Sequence, residues 1–98
     1  MKRRLLFLIY SDPRTSPRPA EAVRIAAGLA AWQQTSIAIY FSGEAVRALG
    51  DDAEMLVNGE NFTRYLPLLK EAGARLLADQ TETALLEEIF QAESIQTW

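Results

Sequence analysis

The sequence predicts an α/β domain, a small three-layer α/β/α arrangement around a mainly parallel four-stranded sheet. Three observations carry this reading. The apolar run Leu5 to Tyr10 has the length and composition of a strand buried on both faces. A proline-rich polar stretch, Ser11 to Pro19, cuts it off and leads into an alanine-rich helical pattern. A second run rich in β-branched and aromatic residues, Thr35 to Phe41, follows that single helix, which is the order of a right-handed β-α-β unit.

The chain of 98 residues is read as one domain, residues 1–98. Hydrophobic residues make up 49% of it, rich for so small a body and a sign of apolar surface facing a partner. Cysteine and histidine are both absent. That excludes thiol nucleophiles, persulfide carriers, disulfides, the usual zinc ligand sets and imidazole acid–base work. Met1-Lys2-Arg3-Arg4 before an apolar run imitates a secretory signal, but the run is too short and Asp12-Pro13-Arg14 replaces a small-residue cleavage site. The expected location is cytoplasmic, with no membrane span.

Charge is uneven along the chain. Residues 1–43 carry six Lys/Arg against Asp12 and Glu21, a balance of +4, whereas residues 44–98 carry four against eleven, a balance of −7. The asymmetry can orient an anionic ligand or partner toward the first strand–loop–helix unit, but ordinary solvated charge that segregates in sequence is the favoured reading. An acidic chain without interleaved basic and aromatic residues is not expected to bind nucleic acid.

Pro19 suits the first turn of the first helix, which should run to about Gln33. Its apolar positions, Ala22, Ile25, Ala26, Leu29 and Trp32 with Val23, Ala27 and Ala30, leave only a thin polar strip. Such a helix is expected to be covered by the sheet and by another subunit. After Phe41, Ser42-Gly43 turns the chain into a short helical segment, Glu44 to Leu49, closed by Gly50. Asp51 to Glu54 should be a polar loop, and Met55-Leu56-Val57 should tuck beneath it before the turn signal Asn58-Gly59.

A helix over Asn61 to Ala72 should bury Phe62, Tyr65, Leu66 and Leu69 and stop at Gly73. Pro67 is awkward there, so the helix is expected either to start late, near Thr63, or to kink at Leu66. Arg75 to Ala78 reads as a third strand. Asp79-Gln80-Thr81-Glu82 offers capping chemistry for a last helix, through about Ala92, with Leu85, Leu86, Ile89 and Phe90 as its core face. Ser94 to Trp98 alternates and reads as a fourth strand.

With its segments in this order the chain resembles the DsrE/DsrF/DsrH family of sulfur-relay proteins, which includes the TusB, TusC and TusD subunits. The resemblance lies in the strand and loop Leu5 to Arg18, the turn Ser42-Gly43-Glu44-Ala45-Val46 and the stretch Gly59-Glu60-Asn61 with Arg64-Tyr65-Leu66. The ending Glu93-Ser94-Ile95-Gln96-Thr97-Trp98 is closest to the DsrH/TusB branch. The resemblance implies a DsrE-like subunit that oligomerises with itself or with related chains. Members that carry sulfur place a cysteine just after the third strand, where this chain has Ala78 and Asp79. Sulfur transfer is therefore not implied here.

The residues themselves leave two readings of the loop after the first strand. Ser11, Asp12, Arg14, Ser16 and Arg18, with Ser42 and Gly43 after the adjacent strand, could seat a small anion such as a phosphorylated metabolite or nucleotide at a helix N-terminus. The same loop also reads as a ligand-free, proline-set helix entry, because it has no glycine to wrap a phosphate. Ser42 has no visible base, so no catalytic residue is assigned. Asp51, Asp52 and Glu54 lack the spacing of a calcium loop, and no metal or cofactor is expected. Ile25, Leu29, Trp32 and Trp98 are the candidate interface residues.

Overall fold

The computed structural model describes residues 3–32, 34–78 and 82–98. Four parallel strands, β1 (Arg3–Ile9), β2 (Thr35–Phe41), β3 (Arg75–Ala78) and β4 (Ser94–Thr97), form one sheet in the order β3-β2-β1-β4. The helices are α1 (Arg18–Ala30), α2 (Glu60–Glu71) and α3 (Glu82–Gln91), with 3₁₀ segments at Gly43–Leu49 and Ala53–Met55. The two long strands lie inside the sheet and the two short ones at its edges. β1 aligns with β2 from Arg3 opposite Thr35 to Ile9 opposite Phe41, and on its other side with β4 from Leu5 opposite Ser94 to Leu8 opposite Thr97.

Alternation along the strands divides the sheet into two unlike faces. Phe7, Ile9, Ile37, Ile39 and Phe41 point into the main core, where they meet Val23 and Ala26 of α1 and Phe62 and Leu69 of α2. Phe7, Phe41 and Phe62 are all essentially excluded from solvent. Each contributes about 1.5–3 kcal/mol of burial. The alanines of α1 let it sit close to the sheet, and α2 packs beside it, with Arg24 and Gly28 left on an exposed strip. The opposite face, with Arg4, Leu6, Ser36, Ala38 and Arg75, takes α3 alone among the described residues.

Several local expectations are corrected. α1 ends at Ala30, short of Gln33, which lies outside the described residues. The Leu29 carbonyl accepts bonds from the Trp32 N–H (3.2 Å) and the Thr35 hydroxyl (2.7 Å), and this closes the helix as β2 begins. α2 does not start late near Thr63: it begins at Glu60 and carries Pro67 inside it on an exposed position. Its end is as expected, with Gly73 at φ 88° and a paired set of bonds, Gly73 N–H to Lys70 O and Ala74 N–H to Leu69 O. Of Met55-Leu56-Val57, Leu56 packs against the core as expected and Val57 is half-buried, but Met55 is 82% exposed; Ala53 is buried beside them.

At Asn58-Gly59 the roles are the reverse of the usual pair. Asn58 takes the left-handed conformation, φ 53°, which asparagine tolerates. Gly59 has ordinary dihedrals but is needed for space, since a Cβ there would lie 2.4 Å from the carbonyl oxygens of Ala53 and Glu54.

The largest correction concerns α3. Leu86 is 56% exposed and Phe90 86% exposed, so the apolar stripe does not form a core face. The helix instead turns Glu88 inward between half-buried Ala84, Leu85 and Ala92. Arg75 binds that carboxylate through Nε (2.6 Å) and Nη2 (2.9 Å), Arg4 approaches it at 3.3 Å, and Arg75 also donates to the Ser36 hydroxyl at 2.8 Å. A buried carboxylate must have partners. In the rotation that brings Glu88 to both arginines, Leu86 and Phe90 face solvent. The capping stretch Asp79 to Thr81 lies outside the described residues.

Candidate functional site

In the order β3-β2-β1-β4 the chain turns back across the sheet between β1 and β4, and ligands of open α/β sheets gather at the carboxyl ends of strands beside such a point. Here that position is filled by the protein. The Trp98 N–H donates to the Leu8 carbonyl (2.8 Å), and the Trp98 carbonyl accepts from Tyr10 (3.0 Å) and Ser11 (3.1 Å). Its ring stacks on Phe7 at 6.3 Å, and the Arg18 guanidinium lies 5.4 Å from the indole centroid while donating to the Thr97 carbonyl at 3.1 Å. Arg18 is thus a lid on Trp98.

The rest of the loop is internally bonded. The Asp12 carboxylate accepts the Arg14 backbone N–H (2.9 Å) and is held by the same residue's guanidinium at 2.8–3.2 Å. The Asp12 carbonyl accepts from Thr15 and Ser16, and the Ser16 hydroxyl accepts from the Arg18 N–H (3.1 Å) at the start of α1. Pro13 is buried, and its carbonyl takes the Val57 N–H (3.0 Å), fastening the loop to the turn after the second 3₁₀ segment. Hydrogen bonds from Arg14 hold the Asp12 carboxyl below its ordinary range, and Asp12 in turn raises Arg14.

Ser42 and Gly43 stand next to this loop, as expected from neighbouring strands: the Ser42 N–H donates to the Ile9 carbonyl (2.9 Å), and Gly43 makes the turn at φ 58°. The turn delivers Glu44, whose carboxylate lies 3.5 Å from Arg14 and pairs with Arg47. Arg14 and Arg47 line a cleft of about 360 Å³ whose other wall includes Asp51, Asp52 and Met55. Asp12, Glu44, Asp51 and Asp52 outnumber the two guanidiniums around it. Sequence reasoning missed Glu44 and Arg47, although their spacing of three on a helical segment is a visible pairing signal.

Of the candidate interface residues, Ile25 and Leu29 are half-buried and pack on the main core, and Trp98 packs on it beside Phe7. Trp32, at the end of α1, is 75% exposed. The larger exposed apolar surface is elsewhere, at Leu86, Ile89 and Phe90 of α3 and Ile95 of β4 (43% exposed). Among the described residues, no group of His, Cys, Asp and Glu is arranged to hold a metal ion, and no helix is long and apolar enough to cross a membrane.

No family model matches this chain, and no curated protein does. Among solved structures, the crystal structure of the ychN protein from E. coli superposes with a TM-score of 0.77 over 100% of both chains, at 16% sequence identity. At that identity the likeness speaks for the fold: a four-stranded, all-parallel α/β domain shared from end to end with ychN.

Proposed function

We propose that this chain is a DsrE-like binding or assembly subunit that works without persulfide chemistry. The shared fold with ychN supports the DsrE-like part of the reading, and the DsrH/TusB branch rests on the sequence resemblance alone. A chain without cysteine has no atom on which to carry sulfane sulfur.

The observation that carries the assembly role is the outward apolar face of α3. Leu86 and Phe90 are four residues apart, on one side of the helix, with exposures of 56% and 86%. Ile95 is exposed on β4, an edge strand with one unpaired side. Aromatic and aliphatic side chains left open in this way are typical of a covered interface. Most of the apolar surface of α1 is taken up by the sheet and α2, so Trp32 is the member of the candidate set best placed to add to the contact. Light scattering after size exclusion is expected to give a dimer or larger species. Phe90→Glu with Leu86→Glu should convert it to a monomer, and a wild-type chain that stays monomeric at tens of micromolar would sink the reading.

The anion-seat alternative draws less support from the geometry. Arg14 and Arg18 are engaged by Asp12, Glu44, Trp98 and the Thr97 carbonyl, so an incoming anion would have to displace internal partners. The loop is better suited to presetting the entry to α1.

A further inference from the structure

A second cleft, of about 280 Å³, opens between the two 3₁₀ segments and α2, away from the loop after β1. Its walls are apolar: Ala48, Leu49 and Ala53 on one side, Phe62, Leu66 and Pro67 on the other. Phe62 is 1% exposed and forms its inner end. Thr63, Leu66, Pro67 and Lys70 recur at the spacing of one helical face, so α2 presents this wall as a unit. The Thr63 hydroxyl is already donated to the Glu60 carbonyl (3.1 Å). That leaves the Lys70 ammonium as the free side-chain donor in the lining.

Lys70 differs from every other described cation. Arg3, Arg4, Arg14, Arg24, Arg47 and Arg75 each pair with a carboxylate. Arg18 is held by Thr97 and Trp98, and Arg64 lies over the Tyr65 ring. Among the described cations the Lys70 side chain alone has no ion pair, hydrogen bond or ring contact, in a half of the chain where acidic residues are abundant.

From these observations we infer that the cleft is a binding site for a small apolar monocarboxylate, its hydrocarbon between Leu49 and Ala53 on one wall and Leu66 and Pro67 on the other, and its carboxylate on Lys70. At about 280 Å³ the cleft lies just below the usual range for ligand pockets, about 300–1,000 Å³, and so suits no more than a short alkanoic or arylalkanoic acid. A single ammonium matches one negative charge, and the apolar walls match a tail that water rejects. A phosphate or other dianion would lack a second cation here and would face the net negative charge of residues 44–98.

Titration of the full chain with hexanoate, followed by amide chemical shifts, tests it, with the uncharged hexanamide as control. Saturable shifts are expected at residues 48–53 and 62–70, with hexanamide binding about tenfold more weakly. Lys70→Met should weaken hexanoate to the level of the amide, and Lys70→Arg should retain it; Lys70 is exposed, so neither change threatens folding. Shifts that do not saturate or that lie outside the cleft would overturn the inference. So would equal binding of acid and amide, or hexanoate binding unchanged in Lys70→Met.

Discussion

The Glu88 carboxylate is gripped by the Arg75 guanidinium, 2.6 Å from Nε and 2.9 Å from Nη2, where α3 crosses the start of β3. Arg4 of β1 supplies a third contact at 3.3 Å, so one carboxylate joins the last helix to two strands. Because the two arginine side chains keep 33% and 36% exposure, water screens the cluster and lowers its worth below that of a fully buried pair. Glu88→Ala is expected to cost about 2 kcal/mol, most of it from stranding the two guanidiniums. Urea denaturation checks this, and a change under about 0.5 kcal/mol would place the cluster with ordinary surface pairs.

Gly59→Ala should be more damaging than a glycine with unremarkable dihedrals would suggest. The added methyl would meet two backbone oxygens at 2.4 Å, and carbonyls cannot swing aside as a side chain can. A loss of about 2–3 kcal/mol follows, which for a domain of this size lowers the melting temperature by roughly 10 °C or more. A calorimetric or circular-dichroism melt reads it directly. By contrast, Gly28→Ala, with nothing within 4 Å of the new atom on an exposed helical position, should hold or raise stability by up to about 1 kcal/mol.

Acid should loosen the loop after β1. The Asp12 carboxyl is depressed in the folded state, chiefly by hydrogen bonds from Arg14, so the ionised form stabilises folding at every pH above the ordinary carboxylate range. That contribution fades as pH falls from the unfolded value through the lower folded one. Glu21, depressed by Arg24, adds in the same direction on α1. Carboxyl titration by NMR should find Asp12 below a reference aspartate, and Arg14→Leu should return it upward; an Asp12 that titrates normally in the wild type would contradict the pairing.

The two tryptophans should separate cleanly in fluorescence. Trp32 is 75% exposed, whereas Trp98 lies between Phe7 and Arg18. Iodide should therefore quench Trp98→Phe strongly and Trp32→Phe only weakly. Replacing Arg18 by Ala in the Trp32→Phe background should open Trp98 to the quencher, because the guanidinium is its cover.

The parts of this protein legible in the sequence are those governed by near neighbours. The limits of β2 and β3, the core face of α2 with Phe62 and Leu69, and the stop at Gly73 all depend on side-chain periodicity or on one residue's backbone freedom, and the structure has them where the pattern put them. The absence of cysteine and histidine also bounds the chemistry. Tertiary structure decided the rest. Nothing local to α3 says that Glu88 will be buried, since its partners Arg4 and Arg75 are 84 and 13 residues away along the chain. Nothing local to Arg18 places Trp98 beneath it, 5.4 Å from the indole centroid. Helical periodicity can nominate an apolar stripe, but which side of a helix faces the sheet depends on the free energy of every group that meets there. For α3, the side that meets the sheet is the one that brings Glu88 to Arg4 and Arg75, and Leu86 and Phe90 are left in solvent.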